Sequence, residues 1–116
     1  HGAEYAQGID IDPVAVECAA ENARLNQLDK RCRFSDTPLA RFDRPFEMVM
    51  ANITAPTLVE MAEELVRLTA PRGRLSLTGV LTAGRQDVLL PFAELGLDLT
   101  FIEEQDEWCL LELARI

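Results

Sequence analysis

Residues 8–13 determine the predicted fold. They read Gly-Ile-Asp-Ile-Asp-Pro, a short strand that ends in two acids and leads directly into a helix. In an open α/β sheet, ligands bind at the carboxyl ends of parallel strands, where a carboxylate can accept hydrogen bonds from both hydroxyls of a ribose. Asp10 is the candidate for that carboxylate. Asp12 has the residue type of a helix N-cap, and Pro13 suits the first helical turn. The alternative is that both acids only cap the helix.

The composition indicates one globular domain. The chain has 116 residues, of which 48% are hydrophobic and 27% charged, enough to build one core. It contains no apolar run near the roughly 20 residues that a bilayer span needs, and its amino terminus lacks the features of a signal sequence. We therefore expect no membrane partner.

The charge and the cysteine content indicate which partners and which compartment to expect. The 20 acids against 11 bases give a net charge of −9, which disfavours direct nucleic-acid binding and permits a basic protein partner. The three cysteines lie far apart, and the chain has a single histidine, His1, so we expect neither a metal site nor a disulfide framework. Cysteines among apolar neighbours indicate a reducing compartment, and we predict a cytoplasmic location.

Hydrophobic periodicity predicts alternating strands and helices in the first two thirds of the chain. After the helix that starts at Pro13, residues 31–35 alternate as a strand does. A strand is predicted to begin at Phe46, where residues 48–51 form a near-continuous apolar run typical of a strand buried on both faces, and this run stops at Asn52. A helix is predicted from Pro56, in its first turn, to about Leu68.

The remaining residues predict one more strand, one more helix and a hairpin. Residues 71–73, Pro-Arg-Gly, are expected to end the preceding helix and turn the chain, and a buried strand follows at 75–80. The next helix is predicted from about Gly84, with Pro91 kinking it or shifting its start and Gly96 ending it. Finally, an alternating run and an extended apolar run flank a polar turn, which predicts a closing antiparallel hairpin from strands at 97–102 and 108–114 around a turn at 103–107.

Taken in order, five motifs resemble a known family. They lie at residues 8–13, 22–26, 49–53, 77–81 and 107–109, and the last of them reads Glu-Trp-Cys. Their order is similar to that of the S-adenosylmethionine-dependent methyltransferases that modify large-subunit ribosomal protein eleven. The resemblance covers almost the whole chain. It implies an α/β fold with the Rossmann-like sheet of a class I methyltransferase and a terminal antiparallel hairpin.

The resemblance also implies roles for single residues. Asp10 would hold the ribose hydroxyls of S-adenosylmethionine, and Ile11 would lie along the adenine as an apolar wall. Asn52 would lie beside the methyl donor and the incoming amine, which belongs to a lysine or to the amino terminus of the ribosomal protein. Asp36 matches an adenine contact only loosely, and an exposed loop acid is the better interpretation. Without the family match, Asn52 is equally well explained as a turn residue.

Such a reaction needs few charged groups. A sulfonium methyl is already activated, so the enzyme mainly aligns donor and amine. The amine must be neutral, whereas a free lysine has a pKa of about 10.4, so the site must favour proton loss. Carbonyl oxygens near Asn52 could orient the amine without a histidine.

The family pattern also includes parts that these residues do not contain. The resemblance implies a first strand and a glycine-rich turn just before Gly2, and a substrate-recognition domain further upstream. We therefore expect residues 1–116 to be a single, partial methyltransferase catalytic domain, without the first strand and without the amino-terminal recognition domain. Alone, it should be inactive, bind S-adenosylmethionine weakly or not at all, and self-associate through unpaired strand edges.

Three alternatives remain open at this stage. One is a class I methyltransferase with another substrate, such as a glutamine side chain or a nucleobase, although those enzymes usually carry paired prolines and an aromatic residue where this chain has residues 53–55. Another is a nicotinamide-dinucleotide module, which the terminal hairpin disfavours. The third is a non-catalytic α/β interaction domain.

Overall fold

A computed structural model describes residues 6–9, 13–27, 30 and 32–115. The described residues up to Arg41 form one compact unit, and those from Phe42 onward form a second. Short 3-10 turns lie at Leu39–Arg41 and Thr82–Gly84. The longer elements are β1 (Ala6–Ile9), α1 (Pro13–Leu25), β2 (Cys32–Ser35), β3 (Phe46–Asn52), α2 (Ala55–Glu60), α3 (Ala62–Arg67), β4 (Thr69–Leu81), α4 (Arg85–Glu94), β5 (Leu97–Gln105) and β6 (Trp108–Arg115).

The first unit is a strand–helix–strand arrangement. Strands β1 and β2 pair in parallel, with Ile9 opposite Ser35 at their carboxyl ends. Helix α1 connects them, and its Ala23 is buried. A Cβ added to Gly8 would lie 2.7 Å from Cε1 of Phe34, so the aromatic ring lies directly over the glycine. The predicted order of these three elements is confirmed.

The second unit contains a four-stranded sheet in the order β3-β4-β6-β5. Strand β3 runs parallel to β4, whereas β6 is antiparallel to both of its neighbours. The predicted terminal hairpin is therefore confirmed. Its turn is shorter than expected, because β5 continues to Gln105 and only Asp106 and Glu107 connect the strands. Asp106 adopts a left-handed conformation with a φ of 57°, which lets the chain reverse within two residues.

Apolar side chains from the sheet and from helices α2 to α4 form the core of this unit. Directly opposite residues in a sheet project to the same face, so the ladder pairs Leu75–Leu113 and Leu77–Leu111 create one apolar surface on β4 and β6. All three helices contact β4. The fully buried side chains are Leu58, Thr69, Leu75, Leu77, Val80, Val88, Phe92, Leu97, Leu111 and Leu113.

The helix predicted over residues 56–68 divides at Met61, where φ is −95° and ψ is 4°. Backbone hydrogen bonds nevertheless continue across the division, because the Met61 N–H donates to Thr57 O at 3.0 Å and the Leu65 N–H donates to Met61 O at 2.9 Å. The second segment, α3, ends at Arg67. Residues 71–73 therefore do not end the helix, and that part of the prediction is wrong.

Strand β4 begins earlier than the sequence predicts and runs through residues 71–73. Its pairing with β3 is irregular there, since Phe46 lies opposite Thr69 and Met48 opposite Arg74. The extra residues of β4 bulge out of the ladder, and the arginine at the centre of 71–73 has a φ of 66°. The Pro-Arg-Gly sequence thus marks a bulge within a strand.

Pro91 lies inside α4 without shifting the start of the helix. The helix begins at Arg85, next to the predicted start, and continues through Glu94. Gly96 follows with a φ of 92°, and its N–H donates to Ala93 O at 3.1 Å. This is the glycine stop signal expected after a helix.

Candidate functional site

Asn52 is the last residue of β3, and its side chain is exposed at the carboxyl end of that strand. The residue before it, Ala51, is buried, so the strand passes from the core to the surface in one step. The strand ends here because Thr54, in an extended conformation, is the N-cap of α2, and Pro56 occupies the first helical turn. The Asn52 amide makes no hydrogen bond to any residue that the structure describes. It is therefore available to a ligand.

The neighbouring strand approaches Asn52 closely. Thr78 lies opposite Asn52 in the β3–β4 ladder, and its hydroxyl donates to Ala51 O at 3.4 Å. Gly79 follows with a φ of 78°. A Cβ at Gly79 would lie 2.9 Å from Asn52 Oδ1 and 3.5 Å from Ile53 O. The β4 backbone thus lies against the Asn52 side chain, where only a glycine leaves enough room.

Gly79 was not among the predicted site residues, although the sequence contains a signal for it. The glycine breaks the alternation of apolar and polar residues that begins at Leu75, and a glycine inside a strand indicates a bulge or a close backbone approach. The structure has such a bulge, since the pairing of β4 with β6 shifts between Leu77 and Val80. The sequence does not show which side chain lies near this bulge, because that depends on the register between β3 and β4.

In the first unit, the described residues include the carboxyl ends of β1 and β2 but not all of the predicted site. Asp10 and Ile11 lie outside the described residues, so their assignment to the methyl donor stays a prediction. Asp36 is exposed directly after β2. An open cavity of about 440 Å³ adjoins that strand end. Its lining residues are Val16, Glu17, Ala20, Phe34, Ser35 and Asp36.

The described residues contain neither a cluster of metal ligands nor a helix suited to cross a membrane. In the described parts of the chain, histidine, cysteine and acidic side chains form no group of three or more that could hold a metal ion. Over the same residues, no helix combines the length and the apolar character that crossing a bilayer requires.

Comparison with known sequences identifies the family. The model of the family described as "Ribosomal protein L11 methyltransferase (PrmA)" matches residues 1–115. The chain belongs to the ribosomal protein L11 methyltransferase family. A family member from Geotalea daltonii is 41% identical over 112 residues, and one from Xylella fastidiosa strain Temecula1 is 38% identical over 117 residues. These matches cover 97% and 98% of this chain but only 36% and 37% of the two relatives, so the chain spans little more than a third of their length.

Solved structures share the fold. The ribosomal protein L11 methylase of Lactobacillus delbrueckii subsp. bulgaricus superimposes with a TM-score of 0.90 at 24% sequence identity, over 98% of this chain and 59% of that protein. An RNA methyltransferase from Salinibacter ruber, solved with S-adenosyl-L-homocysteine, gives a TM-score of 0.71 at 15% identity, over 95% of this chain and 65% of that one. The predicted α/β fold with a Rossmann-like class I methyltransferase sheet is therefore confirmed.

Proposed function

We propose that this chain is part of the catalytic domain of an enzyme that transfers a methyl group from S-adenosylmethionine to amines of ribosomal protein L11. Asn52 carries the proposal: an exposed amide without a described partner, held at the carboxyl end of a parallel strand. Ligands of open α/β sheets bind at this edge. The family membership and the names of the relatives support the reaction type and the substrate.

The chemistry of the Asn52 amide fits a methyl donor and an amine. When bound, S-adenosylmethionine supplies a methyl group that is already activated for attack. The amide oxygen accepts a hydrogen bond from the substrate amine and can orient its lone pair. A neutral amide also brings no negative charge, which would hold the amine in its protonated form.

Four further assignments belong to the same proposal. Asp10 holds the ribose hydroxyls of the methyl donor, and Ile11 lies along its adenine. The net charge of −9 suits a basic ribosomal protein, because opposite charges accelerate and orient encounters. Because the proposed substrate is a ribosomal protein, we expect this enzyme to act in the cytoplasm.

A hybrid enzyme tests the proposed function. In this hybrid, the chain replaces the matching segment of the Geotalea daltonii relative, and the product is incubated with purified L11 and S-adenosylmethionine labelled in its methyl group. We expect label in L11, at lysine or amino-terminal amines identified by mass spectrometry. The unaltered relative is the positive control. A hybrid that folds but leaves L11 unlabelled argues against the proposal, and it favours a non-catalytic interaction domain if it also fails to bind the methyl donor.

We also propose that the isolated chain self-associates through β3. This strand lies at one end of the four-stranded sheet, and its Met48 and Met50 are 45% and 74% exposed. An apolar edge strand promotes pairing between chains, and a lysine on the edge suppresses it. Sedimentation velocity at increasing concentration should therefore detect dimers of the chain, and Met50→Lys should shift the population to monomer. A parent chain that stays monomeric at high concentration contradicts this.

A further inference from the structure

The contact between Gly79 and Asn52 assigns a second residue to the site. We propose that Gly79 is a positioning residue: because it lacks a side chain, it leaves free the space that the Asn52 amide occupies at the strand end, which a Cβ at this position would take. The hypothetical Cβ distance of 2.9 Å to Asn52 Oδ1 carries the proposal. The inference rests on the proposed function only for its catalytic consequence. The contact itself is a property of the fold.

Two independent features of the structure favour glycine at position 79. The first is its φ of 78°, a left-handed conformation that residues with a Cβ adopt at a cost. The second is the close approach to Asn52. The conformation is imposed from both sides, since Leu77 and Val80 are fully buried and lie on either side of the register shift between β4 and β6. Gly79 therefore cannot move away from Asn52 without pulling a core residue out of place.

An alanine at residue 79 would change Asn52 before it changed the fold. The atom that its Cβ would meet most closely is the end of a side chain, which can rotate away, whereas the next neighbours are backbone atoms of Ile53 at 3.5 Å and 3.9 Å. Rotation of the Asn52 amide is the easiest way to relieve the overlap. We therefore expect Gly79→Ala to reorient the Asn52 amide and to leave the sheet intact.

Gly96 is a matched control for the backbone strain. It has a φ of 92°, so Gly96→Ala meets the same conformational penalty, but nothing lies within 4 Å of its hypothetical Cβ. A Cβ at Gly84 would also meet open space, and the φ of Gly84 is not left-handed. Gly84→Ala therefore reports the effect of a methyl group alone. If Gly79→Ala changes the Asn52 resonances or kcat more than both control substitutions do, the excess therefore comes from the contact with Asn52.

Nuclear magnetic resonance of the 116-residue chain tests the contact directly. The side-chain amide resonances of Asn52 should shift in Gly79→Ala and stay in place in Gly96→Ala, although both variants place a Cβ on a left-handed backbone. Unchanged Asn52 resonances in Gly79→Ala overturn the proposal. Equal shifts in both glycine variants overturn it as well, because they would come from general strain.

Kinetics of the hybrid enzyme test the catalytic consequence. Displacing a positioning group by about 1 Å can cost on the order of 100-fold in rate, so Gly79→Ala should lower kcat by about 10- to 100-fold with little change in the KM for L11. Gly96→Ala should keep the parent kcat. Equal kcat values for the two variants overturn the positioning role. An inactive parent hybrid would instead contradict the proposed function, while the resonance test of the contact stays valid.

Discussion

Replacing Phe92 by alanine is expected to lower the free energy of unfolding of the chain by about 3–5 kcal/mol. Phe92 lies in α4, and its side chain is fully buried. The substitution loses the transfer free energy of the aromatic ring. It also leaves a cavity in a core of leucines and valines, which the surrounding sheet and helices keep from collapsing. A loss of this size is a large part of the roughly 5–15 kcal/mol that stabilises a typical domain. Urea denaturation followed by circular dichroism measures it.

Leu90→Ala is the control for that prediction. Leu90 lies in the same helix as Phe92, but its side chain is 62% exposed. Removing it leaves no cavity, so we expect a change within about 0.5 kcal/mol. Similar losses in the two variants would mean that α4 does not pack on the sheet as described.

The same core supports the candidate site. The bulge that carries Gly79 lies between Leu77 and Val80, both of which are completely buried. Helix α4 contacts the strand that contains them. The position of the β4 backbone near Asn52 therefore depends on core packing, and a destabilised core should loosen the site before the whole unit unfolds.

Local periodicity was sufficient to predict most elements of this fold. Three signals each depend on a few neighbouring residues: the apolar run that ends at Asn52, the proline in the first turn of the next helix, and the alternating and apolar runs near the carboxyl end. Asn52 at a strand end could be predicted for the same reason. The parallel and antiparallel pairings then follow from the connections, because a helix between two strands permits parallel pairing and a two-residue turn requires antiparallel pairing.

The irregularities of β4 could not be predicted in the same way. A bulge exists only relative to a partner strand, and which residues lie opposite each other depends on contacts distant in sequence. Residues 71–73 contain a proline and a glycine, which are local signals for a turn, yet strand pairing with β3 incorporates them into β4. Gly79 became informative only once the register placed it beside Asn52. Local sequence thus predicts the elements, whereas strand register determines the environment of the site.

Asn52→Ala in the hybrid enzyme is expected to reduce kcat by about 100-fold, because the substrate amine loses the group that orients it. The KM for L11 should change little, since most of a protein substrate is bound outside this strand end. Leu90→Ala is the control: Leu90 lies on α4, its side chain is 62% exposed, and it has no role in the proposed reaction. Steady-state rates with L11 and labelled S-adenosylmethionine measure both effects. A kcat close to that of the parent would show that Asn52 does not take part in the reaction.

Asn52→Asp separates the orienting role of the amide from its neutrality. Aspartate has nearly the same shape and keeps an oxygen that accepts a hydrogen bond, but it adds a negative charge beside the amine. An opposite charge nearby stabilises the ammonium form and raises the pKa of the amine by about one unit or more, above a reference value of about 10.4 where the target is a lysine. The reactive neutral fraction at pH 7 falls accordingly, so the rise of kcat with pH should move to higher pH and the variant should approach the parent rate only under alkaline conditions. A pH profile of kcat that coincides with that of the parent would mean that the amine reacts beyond the reach of this side chain.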